Sequence, residues 1–205
     1  MNKILSMATI VALVTTLSFA QEGGPKFGIR AGFNLNDPTG DDAKEFDMSF
    51  GAGGGVVASI PITDILSFNP ELNFFYRRLL SMSESSGGYE VEAYESEFAL
   101  SIPAMFQVAP IGGVGFYLAA GVQLDIPFSP EFTQKVTYQG NSEEETEKLD
   151  DRSAMDFGIA LGLGYNITPN FGIDLRCVIG LTNVIDNDHE KISFNQYGIG
   201  VTYFF

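Results

Sequence analysis

Gln196-Tyr197-Gly198-Ile199-Gly200-Val201-Thr202-Tyr203-Phe204-Phe205 closes the chain. Successive side chains of a strand point to opposite faces. Tyr197, Ile199, Val201, Tyr203 and Phe205 therefore share one face, and Gln196, Gly198, Gly200, Thr202 and Phe204 share the other. The first face is apolar and aromatic; the second is mostly small or polar. A strand of this kind, ending on an aromatic residue, fits the closing strand of an outer-membrane β-barrel, with lipid on one side and a lumen on the other. A soluble sandwich or lipocalin-like barrel would also alternate, but its apolar face would point inward.

Working back from that strand, period-two alternation recurs in seven more segments. The eight predicted strands are 27–36, 48–60, 65–77, 94–108, 113–125, 154–166, 170–181 and 192–205. Each reaches the roughly 9–11 residues a tilted transmembrane strand needs. Pro61-Ile-Thr-Asp64, Ala109-Pro-Ile-Gly112 and Thr168-Pro169 read as tight turns. The other connections, 37–47, 78–93, 126–153 and 182–191, are longer and polar and read as loops. Short turns on one side and long loops on the other are the rule for such barrels. The expected fold is all-β: an eight-stranded antiparallel up-and-down transmembrane β-barrel.

The chain starts Met1-Asn2-Lys3, continues apolar from Ile4 to Phe19, and reaches small residues at Ser18 and Ala20. Residues 1–20 are read as a secretory signal peptide and 21–205 as the barrel domain. The expected location is the outer membrane of a Gram-negative bacterium. The expected partners are outer-membrane lipids, lipopolysaccharide and, through the C-terminal strand and Phe205, the barrel-assembly machinery.

The net charge is −15, which argues against a nucleic-acid partner, since phosphate backbones require Lys and Arg. Cys177 is the only cysteine and His189 the only histidine. An intrachain disulfide and a multi-histidine zinc site are thereby excluded. No cofactor is expected.

Parity assigns the strand charges. Arg30, Glu71, Arg77, Glu97, Asp174 and Arg176 fall on lumenal faces, as expected when a lipid-facing Arg or Lys near the midplane costs about 2–4 kcal/mol. An eight-stranded barrel is just wide enough for side chains to fill. These six residues are read as a neutralising network that plugs the lumen, with a narrow channel as the alternative.

The chain resembles the PorT-like outer-membrane β-barrel family, small barrels with the shape of OmpX and the OmpA membrane domain. The resemblance rests on Phe27-Gly-Ile-Arg-Ala-Gly-Phe-Asn-Leu-Asn36, Phe68-Asn-Pro-Glu-Leu72, Ser101-Ile-Pro103 and Phe116-Tyr-Leu-Ala-Ala-Gly-Val-Gln-Leu124. Asp156-Phe-Gly158, Gly162-Leu-Gly-Tyr165 and Gly180-Leu-Thr-Asn183 complete it. It implies a location and a fold and carries no catalytic motif. Because some members serve secretion across the outer membrane, it admits a role in a secretion assembly.

Three motifs remain. Gly51-Ala-Gly-Gly-Gly55 lacks the Lys-Ser/Thr of a phosphate-binding loop and reads as interior glycine. Asp188-His189, with Ser193 nearby, is the only place where acid–base chemistry could begin, and a rim hydrolase is the third reading. Asp41, Asp42, Glu143, Glu144 and Glu145 are acidic loop residues and weak Ca²⁺ candidates, although neither cluster has EF-hand spacing. The leading reading is a non-enzymatic barrel with a structural or surface-interaction role.

Overall fold

The computed structural model describes residues 24–40, 43, 46–86, 89–110, 113–138, 141–149, 155–183 and 192–205. Among them are nine strands: β1 (Lys26–Thr39), β2 (Ser49–Pro61), β3 (Leu66–Ser86), β4 (Tyr89–Val108), β5 (Gly115–Tyr138), β6 (Asn141–Lys148), β7 (Asp156–Asn166), β8 (Phe171–Gly180) and β9 (Ser193–Phe204). Every pairing is antiparallel. The pairings run β4-β3-β2-β1-β9-β8-β7-β5-β6, and a further β4–β5 ladder returns the sheet to its start. β6 lies outside this circuit and, among the described residues, pairs only with Glu131–Tyr138 of β5. The sheet is therefore a closed ring with one appended strand.

The two faces of the ring invert the pattern of a soluble core. Phe116 is 70% exposed and Phe33 69%, whereas Glu97 is 1%, Asn73 2% and Arg77 3% exposed. Large apolar residues on the outside and charges within make sense when the outer solvent is hydrocarbon. Closure also satisfies the backbone, because a ring leaves no open edge in lipid.

Strand lengths depart from the sequence reading in two places. Residues 78–93, read as a loop, mostly continue β3 to Ser86 and begin β4 at Tyr89, and within 126–153 β5 runs on to Tyr138 and is followed by β6. Among the described residues the count is thus nine strands rather than eight. Alternation is visible in sequence only where the two faces meet different surroundings. All eight residues of β6 are exposed, so no contrast marks it. Cross-strand pairs hold the extension instead: Tyr89 stacks on Tyr138 with centroids 4.2 Å apart, and Thr133 lies 3.1 Å from Thr146 through their hydroxyls.

Irregularities mark where the ring gives way to this extension. The β3–β4 register shifts between Arg78 and Ser81, and the β4–β5 register shifts between Ser96 and Phe98. Opposite the second shift, Ser129 adopts φ 51°, a left-handed residue of the kind that forms a bulge. Leu79, at the first shift, is buried with Ala43, Ile192 and Phe194. A small apolar cluster therefore lies at the end of the ring opposite the tight turns.

Candidate functional site

Parity sends the strand charges into the ring, and the register decides which of them meet. Two layers result. The first lies toward the tight-turn end. Arg30 on β1 engages Asp174 on β8 through both terminal nitrogens, one of them at 2.7 Å from Oδ1, and donates to Thr202 at 3.2 Å. Arg176 donates to Glu71 on β3 in a bidentate pair of 2.7 and 3.0 Å. Arg30 Nε lies 3.6 Å from the same carboxylate, and Asn73 donates to it at 2.8 Å. Two guanidinium groups face two carboxylates, so this layer is balanced.

The second layer lies toward the opposite end and is centred on Arg77. Its guanidinium reaches Glu97 at 2.6 Å, Asp125 at 2.9 Å and Asp156 at 2.8 Å, on three other strands. Asp125 and Asp156 are directly opposed in the β5–β7 ladder, where like charges repel; Arg77 donates from a different nitrogen to each. Gln196 and Gln123 also donate to Asp125, at 3.0 and 3.1 Å. Asn34 and Asn36 continue the polar chain toward β3, ending at the Arg78 carbonyl.

Arg30, Glu71, Asp174 and Arg176 thus converge on one layer, and Arg77 and Glu97 on the other. Asp125 and Asp156, inward by the same strand parity, complete the Arg77 cluster. The cavities left among these groups measure about 40, 30 and 20 Å³, room for roughly one to three waters each.

Glycine makes the space. The Arg30 guanidinium occupies the position a Cβ on Gly200 would take, at 2.6 Å from its central carbon. Gly200→Ala is expected to push Arg30 off Asp174 and cost about 1–3 kcal/mol. Gly162→Ala should be tolerated, since its Cβ would meet Ala119 at 3.4 Å. Urea midpoints of the two variants, read by gel mobility without boiling, check this. Gly55, in the glycine run, faces the Leu72 carbonyl and the Asn73 backbone so closely that no side chain fits.

Asp41, Asp42, Asp188 and His189 lie outside the described residues. Ser193 Oγ lies 3.0 Å from the Thr39 hydroxyl. Glu143 and Glu145 share one face of β6 and Glu144 takes the other, and among the described residues no His, Cys, Asp or Glu group is placed to hold a metal ion. Phe205 donates its N–H to the Phe27 carbonyl at 2.9 Å, and its ring meets Tyr203 edge-on at 5.9 Å. Cys177 is half-buried.

A closed antiparallel ring, apolar outside and charged within, defines the class of integral outer-membrane proteins that cross with strands. The family model described as "Outer membrane protein beta-barrel domain" matches residues 19–186, and the chain belongs to that family. Its place is the outer membrane of a Gram-negative bacterium. Similar solved structures include Neisserial surface protein A, at 16% identity and TM-score 0.48 over 89% of this chain and 99% of that one. Ail of Yersinia pestis, solved in complex with the heparin analogue sucrose octasulfate, gives 14%, 0.44, 89% and 99%. OprG of Pseudomonas aeruginosa gives 13%, 0.37, 90% and 97%. Among curated proteins no sequence matches.

Proposed function

We propose that the eight strands of the ring form the transmembrane wall of a non-enzymatic barrel, of PorT-like type, whose role is structural or surface-interacting. In this reading residues 1–20 are a signal peptide, 21–205 are the barrel domain, and β6 with the ends of β3, β4 and β5 stands outside the cell. Lipopolysaccharide and other outer-membrane lipids surround the wall, and the C-terminal strand with Phe205 engages the assembly machinery.

The observation that carries the reading is the filled interior. Two charged layers, one balanced and one setting Arg77 against three carboxylates, lie across the lumen one above the other, with side chains of Arg77 and Glu97 only 3% and 0% exposed. Such a plug leaves the outer surface to carry the function. Purified protein in planar bilayers is expected to show no reproducible ion steps. A steady conductance that changes in Glu71→Ala or Arg176→Ala would replace this reading with a narrow channel.

A further inference from the structure

The protruding sheet ends on a strand that, among the described residues, is paired on one side only. Alternate residues of β6 direct their N–H and C=O groups toward β5, and the rest direct them away. On that outer side β6 has no partner strand among the described residues, and all its residues are exposed. Most proteins shorten, bend or cover such an edge, because it templates pairing with another chain. Here it is eight residues long and stands on a hairpin beyond the ring.

The side chains say which strand could pair with it. Val136 opposes Glu143, Gln134 opposes Glu145 and Phe132 opposes Glu147, so three glutamates line one face of the edge. Next to them Tyr138 and Tyr89 form an aromatic pair, 40% and 50% exposed. Glu144 carries negative charge on the other face. A second copy of the chain is a poor occupant: antiparallel pairing of two β6 strands would set their Glu143–Glu145 runs against each other, and opposed like charges destabilise a ladder. The net charge of −15 adds repulsion between copies.

We propose that β6 is a docking edge for an extended cationic segment of another protein, which adds to the sheet as a further strand. Main-chain hydrogen bonds supply the affinity, as in other strand additions. Lys or Arg at alternate positions meet Glu143, Glu145 and Glu147, and a residue at the next position on that same face, opposite Asn141, reaches the tyrosine pair. This rests on the surface-interaction reading above and specifies its partner.

The test uses the mature protein in lipid nanodiscs and the peptide Lys-Val-Lys-Val-Lys-Val-Lys-Val. Binding is followed by calorimetry, and exchange of the β6 amides by mass spectrometry. The peptide is expected to bind and to slow exchange in 141–148 at least about tenfold. N-methylating one alternate set of its amides should weaken binding at least about tenfold, and methylating the other set should not. The combined Glu143→Lys, Glu144→Lys and Glu145→Lys variant should reject this peptide and accept its Glu-Val counterpart. No binding, or equal binding of both methylated peptides, overturns strand addition; the latter leaves only charge attraction. Cross-linking of two copies through β6 without peptide would overturn the choice of partner. Bilayer conductance of the same preparation is independent of all these outcomes, so a failed plug and a failed docking edge are distinguishable.

Discussion

Arg77→Ala is expected to cost about 3–5 kcal/mol of folded-state stability, the range for removing one partner from a buried ion pair. The argument is geometric. The Arg77 side chain is 3% exposed and reaches carboxylates on β4, β5 and β7 within 2.9 Å. Without it Glu97, Asp125 and Asp156 lose their shared counter-charge, and the directly opposed Asp125 and Asp156 repel across the β5–β7 ladder. Arg77→Lys should recover only part of the loss, because a single ammonium cannot donate along three directions as the planar fork does. Arg77→Ala combined with Asp125→Asn should be less damaging than the sum of the single changes, since the two residues touch. Urea titration of the folded band on gels run without boiling compares the parent with Arg77→Ala, Arg77→Lys, Asp125→Asn and the double variant. A cost below about 1 kcal/mol for Arg77→Ala would mean that water inside the ring screens the carboxylates as it does at a surface.

That cluster also shows how far sequence reaches. The inward direction of Arg30, Glu71, Arg77, Glu97, Asp174 and Arg176 follows from strand parity alone. Their pairing does not. Arg30 and Asp174 are 144 residues apart, and which rung of one strand faces which rung of another is set by register, on which a period-two pattern is silent. Splitting six charges into two separate layers therefore needed the ladders. So did the membership of Asp125 and Asp156, and the donors Gln123 and Gln196. Parity marks these four residues as inward, but an inward polar residue in a sequence has no partner attached to it.

The ring strands were legible because lipid outside and a crowded polar interior give each strand two different faces. In β7, Phe157, Ile159, Leu161, Leu163 and Tyr165 are all exposed on the outside, while Gly158, Ala160 and Gly164 are buried. Beyond the ring, β6 is exposed along its whole length. There Asn141–Lys148 has the composition of a loop and the hydrogen bonding of a strand. The ends of β3 and β4 were missed for the same reason. Residues 80–85 of β3 and 89–94 of β4 are half-buried or exposed, and backbone pairing with a few contacts, such as Arg78 against the Tyr94 ring at 3.8 Å, holds them.

Leu161→Arg is expected to cost about 2–4 kcal/mol, the price of an arginine on the lipid face near the bilayer midplane. Leu161 sits at the middle of β7, between Ala120 and Cys177 in the ladders, and is 48% exposed. In a protein surrounded by water, an exposed leucine can become arginine at a cost within about ±0.5 kcal/mol. The sign and size of this one effect therefore report which solvent meets the outer face. Phe157→Arg supplies the depth control. Phe157 is the second residue of the same strand, toward the interface, where the cost falls to about 0–1 kcal/mol. Neither change touches the interior, so the Arg77 layer and the ring closure stay as they are. Unfolding by urea from phospholipid bilayers gives both numbers. A steep difference between the two positions is the signature of a hydrocarbon slab around β7, and equal, near-zero costs would remove the membrane from the account of why these leucines and phenylalanines point outward.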